Sequence, residues 1–342
     1  MGFLRHVSLI VWTIVAATAR RLLQGPRLAG WTIGFELAVA VTRVVAADSG
    51  KGPPTVLRRR FVGVRMNRKI RAQIVQSSAL VAGCPAETFT PARWTEADPT
   101  VLYFHGGGYV VGSPRTHRDL LARLAVAAGA RVVAPDYRKA PEHPFPAAVD
   151  DGEASYRALL AADKAAGRLF LAGDSAGGGL ALAVALRARD AGLPTPCALL
   201  LLSPWTSLEC DGESIHRNAA FDYLTAPILK RSAHHYLQGA DARHPHASPI
   251  HADLRGLPPL FIQTGGAELL LSDNQALAQR AASAGVPVVH HVEDHMVHVF
   301  PVFCGMLPGP GPAAFARMGD FVRRCGADAA RPADLPSLRT AT

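Results

Sequence analysis

The chain has 342 residues, 49% of them apolar, and a net charge of +9. That length is ample for one large buried core. Five cysteines, an odd count without paired spacing, read as thiols, argue against a disulfide framework and suggest no zinc cluster.

The charge is unevenly placed. Residues 1–86 hold thirteen Lys or Arg against only Glu36 and Asp48, so the remaining 256 residues sum to about −2. A basic amino-terminal quarter fits either a surface that faces something anionic or solvated arginines on helices. At the start, His6 to Ala19 carries no Asp, Glu, Lys or Arg, with Arg5 before it and Arg20-Arg21 after it. The run is short for a membrane-spanning helix, which needs roughly 17–25 apolar residues. Three readings stay open: an amphipathic cap or interfacial helix, a signal peptide over 1–19 ending in Ala17-Thr18-Ala19, and a true anchor. No other segment has the composition to span a bilayer.

Residues 26–48 read as a helix after a Pro-containing turn, and "SGKGPP" (49–54) as a linker. The segment from Thr55 to Val75 alternates irregularly and is very basic; Arg58–Arg71 lacks interleaved aromatics, so no nucleic-acid partner is expected. From about residue 99 the pattern becomes regular. Strands are predicted at Val101–Phe104, Arg131–Ala134, Leu169–Ala172, Ala198–Leu202, Leu260–Thr264 and Val288–Val292. Helices are predicted at Asp119–Ala128, Val149–Ala162, Ala176–Ala191 and Asn274–Ala284. Such alternation implies βαβ crossovers and a mostly parallel sheet, with functional residues following the carboxyl ends of strands. Residues 205–256 break the alternation with polar, His-rich sequence and one helix-like stretch near Ile228–Gln238, so they read as an insertion over the sheet. The tail after Gly326 reads as disordered.

Two glycine clusters carry the chemistry. Gly173-Asp174-Ser175-Ala176-Gly177 is a G-x-S-x-G sequence between an apolar strand and an Ala/Leu helix, which is where a nucleophilic serine is lifted clear of a sheet on a sharp turn. A serine hydroxyl needs a base, usually a histidine oriented by a carboxylate. The loop after Thr264 offers Glu268 and Asp273, and the stretch after Val292 offers His295 and His298, in the order Ser, acid, His expected of this arrangement. His105-Gly106-Gly107-Gly108 follows the strand Val101–Phe104 and supplies bare backbone N–H groups, which suit a transient oxyanion.

"HGGGYVVGSPRTHR", "APDYRKAPEHPFPAAVDD", "LAGDSAGGGLAL", "LLSPWTSL", "LPPLFIQTGGAELLLSD" and "MVHVFPVF" occur in that order. Together they resemble the hormone-sensitive-lipase-like esterases (bacterial family IV carboxylesterases) of the α/β-hydrolase fold. The similarity runs through about residues 96–305, and "QGPRLAGWTIGFEL" looks like the amino-terminal cap helix of some members. The resemblance implies a mostly parallel central sheet with helices on both faces and a helical cap. It implies Ser175 as nucleophile, Glu268 as acid with Asp273 as second choice, and His298 rather than His295 as base. Gly107, Gly108 and Ala176 would form the oxyanion hole, with His105, Tyr109 and Asp174 supporting it. Lys139 and Ser207 depart from the usual residues of the motifs without touching that set.

The implied organisation is cap helices and basic linker over 1–95, a catalytic domain over 96–326 with a cap insertion at about 207–250, and a disordered tail over 327–342. The implied activity is cleavage of short-to-medium acyl esters of small molecules, with no metal or organic cofactor. Two alternatives remain: a membrane-surface lipid-ester hydrolase, and a non-catalytic small-molecule receptor. A homodimer is left open, and the expected location is the cytoplasm, with or without membrane association. His234, His235, His244, His246 and His251 in the insertion lack a metal-binding pattern and read as solvated loop histidines; His290 and His291 read as strand residues with one facing inward.

Overall fold

The computed structural model describes residues 2–49, 52–60, 63, 65–162 and 168–328. Two helices open the chain, α1 (Gly2–Gln24) and α2 (Ile33–Ser49), and they pack on each other. Arg20 and Arg21 of α1 both pair with Glu36 of α2, a carboxylate only 3% exposed. A charge that deep is tolerable only when paired, so this triad pins the two helices together. The short helices α3 (Pro54–Arg60) and α4 (Arg68–Arg71) lead into a hairpin, β1 (Ile74–Val81) and β2 (Cys84–Pro91).

The regular alternation follows: β3 (Thr100–Phe104), α5 (Arg118–Ala128), β4 (Arg131–Pro135), α6 (Ala147–Ala162), β5 (Leu169–Asp174), α7 (Ala176–Asp190) and β6 (Leu199–Leu202). Between β6 and β7 (Leu260–Gly265) the chain leaves the sheet and forms α8 (Glu213–Arg217) and α9 (Ala226–Leu237). Then come α10 (Leu271–Ser283), β8 (Val288–Glu293) and α11 (Pro310–Asp328). The eight strands form one sheet in the order β1-β2-β4-β3-β5-β6-β7-β8, parallel from β4 to β8 and antiparallel where β2 meets β1 and β4.

The parallel strands read as unbroken apolar runs because helices cover both faces. Side chains alternate between two cores: Leu102, Phe104, Leu169, Leu171, Leu199 and Leu201 point to the α6/α7 face, while Val101, Tyr103, Phe170, Ala172, Leu200 and Leu202 point to the α5/α11 face. A third cluster joins Trp31, Phe35 and Val39 to Met296, Val297, Phe300, Leu307 and Ala314, so α2 is seated on the loop that follows β8.

The sequence reading missed several elements and one boundary. β1 and β2 fall inside residues 1–95, read as helices and linker, yet they belong to the sheet. β1 is an edge strand exposed along most of its length, so no inward-facing apolar alternation marks it. α3 and α4 are short pieces within the basic run. α11 follows a Gly-Pro run, which reads as loop; its start at Pro310 uses proline where a helix has no N–H to lose. It runs to Asp328, and the remainder of the expected disordered tail lies outside the described residues.

Gly319 lets α11 lie against α5: a Cβ there would overlap the Ala127 carbonyl oxygen. Gly319→Ala is therefore expected to cost about 1–3 kcal/mol in chemical denaturation, while turnover per folded molecule stays at the wild-type level. Equal stability of the two proteins would show that the helix pair tolerates separation.

Candidate active site

Ser175 sits on the turn between β5 and α7 at φ 53° and ψ −123°, a conformation a side chain normally avoids. The turn is braced from both sides: the Ser175 N–H donates to the Leu202 carbonyl at 2.9 Å, and the Ser175 carbonyl accepts from Gly178, Gly179 and Trp205. Nothing larger than glycine fits around it. A Cβ on Gly177 would overlap the carbonyls of Phe104 and His105, and one on Gly106 would overlap the Asp174 carboxylate.

That close approach locks the glycine loop beside the serine. The Asp174 carboxylate accepts the Gly106 N–H at 3.0 Å and the Tyr103 hydroxyl at 2.8 Å, and lies 3.3 Å from His117 Nε2. Burial would push Asp174 up, but His117 and Tyr103 outweigh it and hold the carboxyl below its usual range. His105 turns away from the serine: it stacks on Tyr137 at 4.3 Å, and its Nδ1 lies 2.8 Å from the Gly106 carbonyl. With Gly106 engaged, Gly107 (φ 122°) and Gly108 (φ 63°) carry the chain around, and among the described residues their N–H groups have no partner. The Ala176 N–H, at the first position of α7, likewise has none within its helix. Tyr109, also at positive φ, stacks on Tyr236 of α9 at 3.8 Å.

His298 is 2% exposed, whereas His295 is exposed and contributes its carbonyl to Trp31 Nε1 at 2.6 Å. Of the two, only His298 faces an acid: its Nδ1 lies 3.7 Å from Glu268 Oε1. That exceeds hydrogen-bonding distance, so the attraction here is coulombic. Glu268 is fully buried and held by the Ser203 hydroxyl at 2.6 Å, the Gly265 N–H at 2.7 Å and Asn274 at 3.2 Å. Ser203 is the hub of this side, since its hydroxyl also accepts the Val299 N–H at 3.0 Å. Ser203 follows Leu202, the residue that holds the serine turn, so one short segment connects the serine, the acid and the histidine loop.

Asp273 is not part of this set. It lies in the first turn of α10 against Gly212, and burial together with Asp211 and Glu209 pushes it up to about 7. It stands three residues beyond Leu270, which occupies the cap position of α10.

A second buried carboxylate escaped the sequence reading. Asp222, between α8 and α9, is fully buried; its Oδ1 accepts the His298 N–H at 3.3 Å and its Oδ2 the Leu269 N–H at 2.8 Å. It ties the segment outside the sheet to both the acid loop and the histidine loop. Burial, with Glu268 adding to it and His298 offsetting it, pushes Asp222 up to about 6. The neighbouring Tyr223 ring lies 5.9 Å from the His298 ring. No motif marks Asp222 in the sequence. Among the described residues no group of three or more His, Cys, Asp or Glu is placed to hold a metal ion.

A serine on a strained strand-to-helix turn, beside unengaged N–H groups and a buried histidine with carboxylates, defines the serine-hydrolase class on an α/β-hydrolase sheet. Comparison with known proteins agrees: residues 101–302 match the family model described as alpha/beta hydrolase fold. The chain is 48% identical over 244 residues to an acetyl-hydrolase of Streptomyces hygroscopicus, covering 71% of this chain and 81% of that one. It is 39% identical to an esterase of the bacterial hormone-sensitive lipase family, with a TM-score of 0.73 and coverage of 93% and 98%. It is also 40% identical to the esterase EstE5 in crystals soaked with p-nitrophenyl butyrate, with a TM-score of 0.76 and coverage of 84% and 99%. The chain belongs to the bacterial hormone-sensitive-lipase-like esterases of the α/β-hydrolase fold.

Burial pulls the His298 imidazolium down, but Glu268 and then Asp222 more than offset it, so His298 is held above its ordinary value. Only the neutral ring can take a proton, so kcat/KM should rise with pH through a limb lying above about 6.5. Glu268→Gln and Asp222→Asn each remove a negative charge and should move that limb to lower pH. A limb unmoved in Asp222→Asn would show that its charge does not reach His298.

Proposed function

We propose that the protein is a serine carboxylesterase that cleaves short-to-medium acyl esters of small molecules through an acyl-enzyme. The support that carries this reading is the strained Ser175 turn beside a glycine loop with free N–H groups, together with His298 buried against Glu268.

In this mechanism His298 Nε2 takes the proton of Ser175 as its oxygen attacks the ester carbonyl. The N–H groups of Gly107, Gly108 and Ala176 receive the oxyanion, with no reorganisation needed at the moment charge develops. His298 then gives the proton to the departing alcohol, and a water activated by the same ring releases the acid from the serine. Glu268 stabilises the imidazolium and sets its tautomer through Nδ1. Closing the 3.7 Å separation between them as the imidazolium forms would strengthen that attraction in the transition state.

Two things support a short acyl group. Tyr109 stacks on Tyr236 and lies near Trp205, which itself approaches Gly108, so bulky rings crowd the glycine loop. The relatives point the same way: one is named an acetyl-hydrolase, and another was soaked with a butyrate ester.

A panel of p-nitrophenyl esters tests the reading. kcat/KM should peak at acetate to hexanoate; a maximum at decanoate or longer would overturn the assigned acyl preference. Ser175→Ala should abolish labelling by a fluorophosphonate and Glu268→Gln should lower kcat on the order of 10⁴-fold. Asp273→Asn serves as the control and should leave kcat within about threefold of wild type. Labelling that persists in Ser175→Ala would remove the nucleophile assignment.

A further inference from the structure

We propose that the outer face of α1 docks flat on an anionic lipid bilayer. Seven large apolar side chains of this helix are exposed: Val7, Val11, Trp12, Ile14, Val15, Leu22 and Leu23. They are half of the fourteen such residues exposed among the described part of the chain, so this is a patch and not scattered surface. Their spacing puts them on one side of the helix, with only Ser8, Thr18 and Ala19 between them. Leu22 and Leu23 are 77% and 84% exposed, and Trp12, at 67%, is the residue type that settles at the headgroup level.

Two charges of α1 point the other way. Arg20 and Arg21 turn inward to Glu36, leaving no ionised side chain on the outer face from Val7 to Leu23. By length and composition the window Val7–Gln24 is enough to cross a membrane. Crossing would strip both arginines from Glu36 and carry the pair or its fragments into hydrocarbon, whereas lying flat keeps the triad intact.

Charge selects the occupant. Residues 1–86 carry a surplus of eleven positive charges, with Arg5 just ahead of the patch and Arg27 just after it. An anionic bilayer complements that surplus. A second copy would set two such basic quarters against each other and be repelled.

Where α1 meets α2 there is a cavity of about 600 Å³ whose lining mixes Ala16, Val39 and Phe221 with Arg20, Glu36 and Arg43. Phe221 precedes Asp222, whose carboxylate accepts the His298 N–H. Docking itself does not depend on the proposed activity, because the test reads binding.

The full chain is floated with phosphatidylcholine vesicles, and with vesicles in which about one third of the lipid is phosphatidylglycerol. It should float with the anionic vesicles at low salt and be released as salt rises. The triple variant Val11→Glu, Val15→Glu, Leu22→Glu alters exposed side chains that line no cavity. It should lose at least about tenfold in vesicle partitioning, with circular dichroism and turnover of p-nitrophenyl acetate unchanged. No flotation with anionic vesicles, equal flotation with both kinds, or equal partitioning of the triple variant overturns the proposal. So does a dimer in the absence of lipid that the triple variant abolishes, since a second copy would then cover the face.

Discussion

The site depends on the close approach of two pieces of backbone, the strand end at Phe104-His105 and the first turn of α7 at Gly177. They come near enough that a single Cβ on Gly177 would overlap carbonyl oxygens of the first piece. Asp174 completes the joint by accepting the Gly106 N–H and the Tyr103 hydroxyl. Because Gly106 is tied to Asp174, the next two glycines are left to present their N–H groups beside Ser175. The glycine loop is thus a rigid fixture built from flexible residues, and its rigidity comes from its neighbours. An oxyanion donor needs that rigidity, since it helps only if it is oriented before the charge appears.

Backbone strain gathers around this joint. Tyr109, Ser175, Ser203, His295 and Val299 all adopt positive φ, and each lies in the glycine loop, the serine turn, the segment after β6 or the histidine loop. For a β-branched residue such as Val299 the conformation is costly. It persists because Val299 packs in the core on the α5/α11 face and the Ser203 hydroxyl accepts its N–H, which over-determine it. The third cluster connects the amino-terminal helices to the candidate site, since Trp31, just before α2, and Phe35 of α2 pack on the loop that carries His298.

Electrostatics on the acid side rest on sharing. Glu268 and Asp222 are both fully buried beside one histidine. Two carboxylates so placed disfavour each other's charge, and Asp222 rises to about 6 as a result of burial and of Glu268. Glu268 takes donors from the Ser203 hydroxyl, the Gly265 N–H and the Asn274 amide and faces the ring nitrogen. Asp222 spends both oxygens on backbone N–H groups, which places the loops instead of the proton.

The amino-acid sequence by itself determined the local and the chemical: which runs are strands, where the serine turn falls, and that bare backbone follows His105. Those features have short-range causes, namely unbroken apolar runs covered on both faces, glycines where no Cβ fits, and Ala/Leu periodicity in the crossing helices. Ser175, Glu268 and His298 were all legible because motifs surround them, and the structure brings the last two together in the buried region behind the serine turn. Tertiary structure decided what depends on residues distant in the chain. β1 was invisible because an edge strand needs no apolar alternation, Asp222 because its meaning lies in backbone groups 47 and 76 positions away. The motifs already favoured Glu268 over Asp273 and His298 over His295; what only the packed chain supplies is the facing, with Glu268 and His298 buried against each other, Asp273 against Gly212 and His295 exposed.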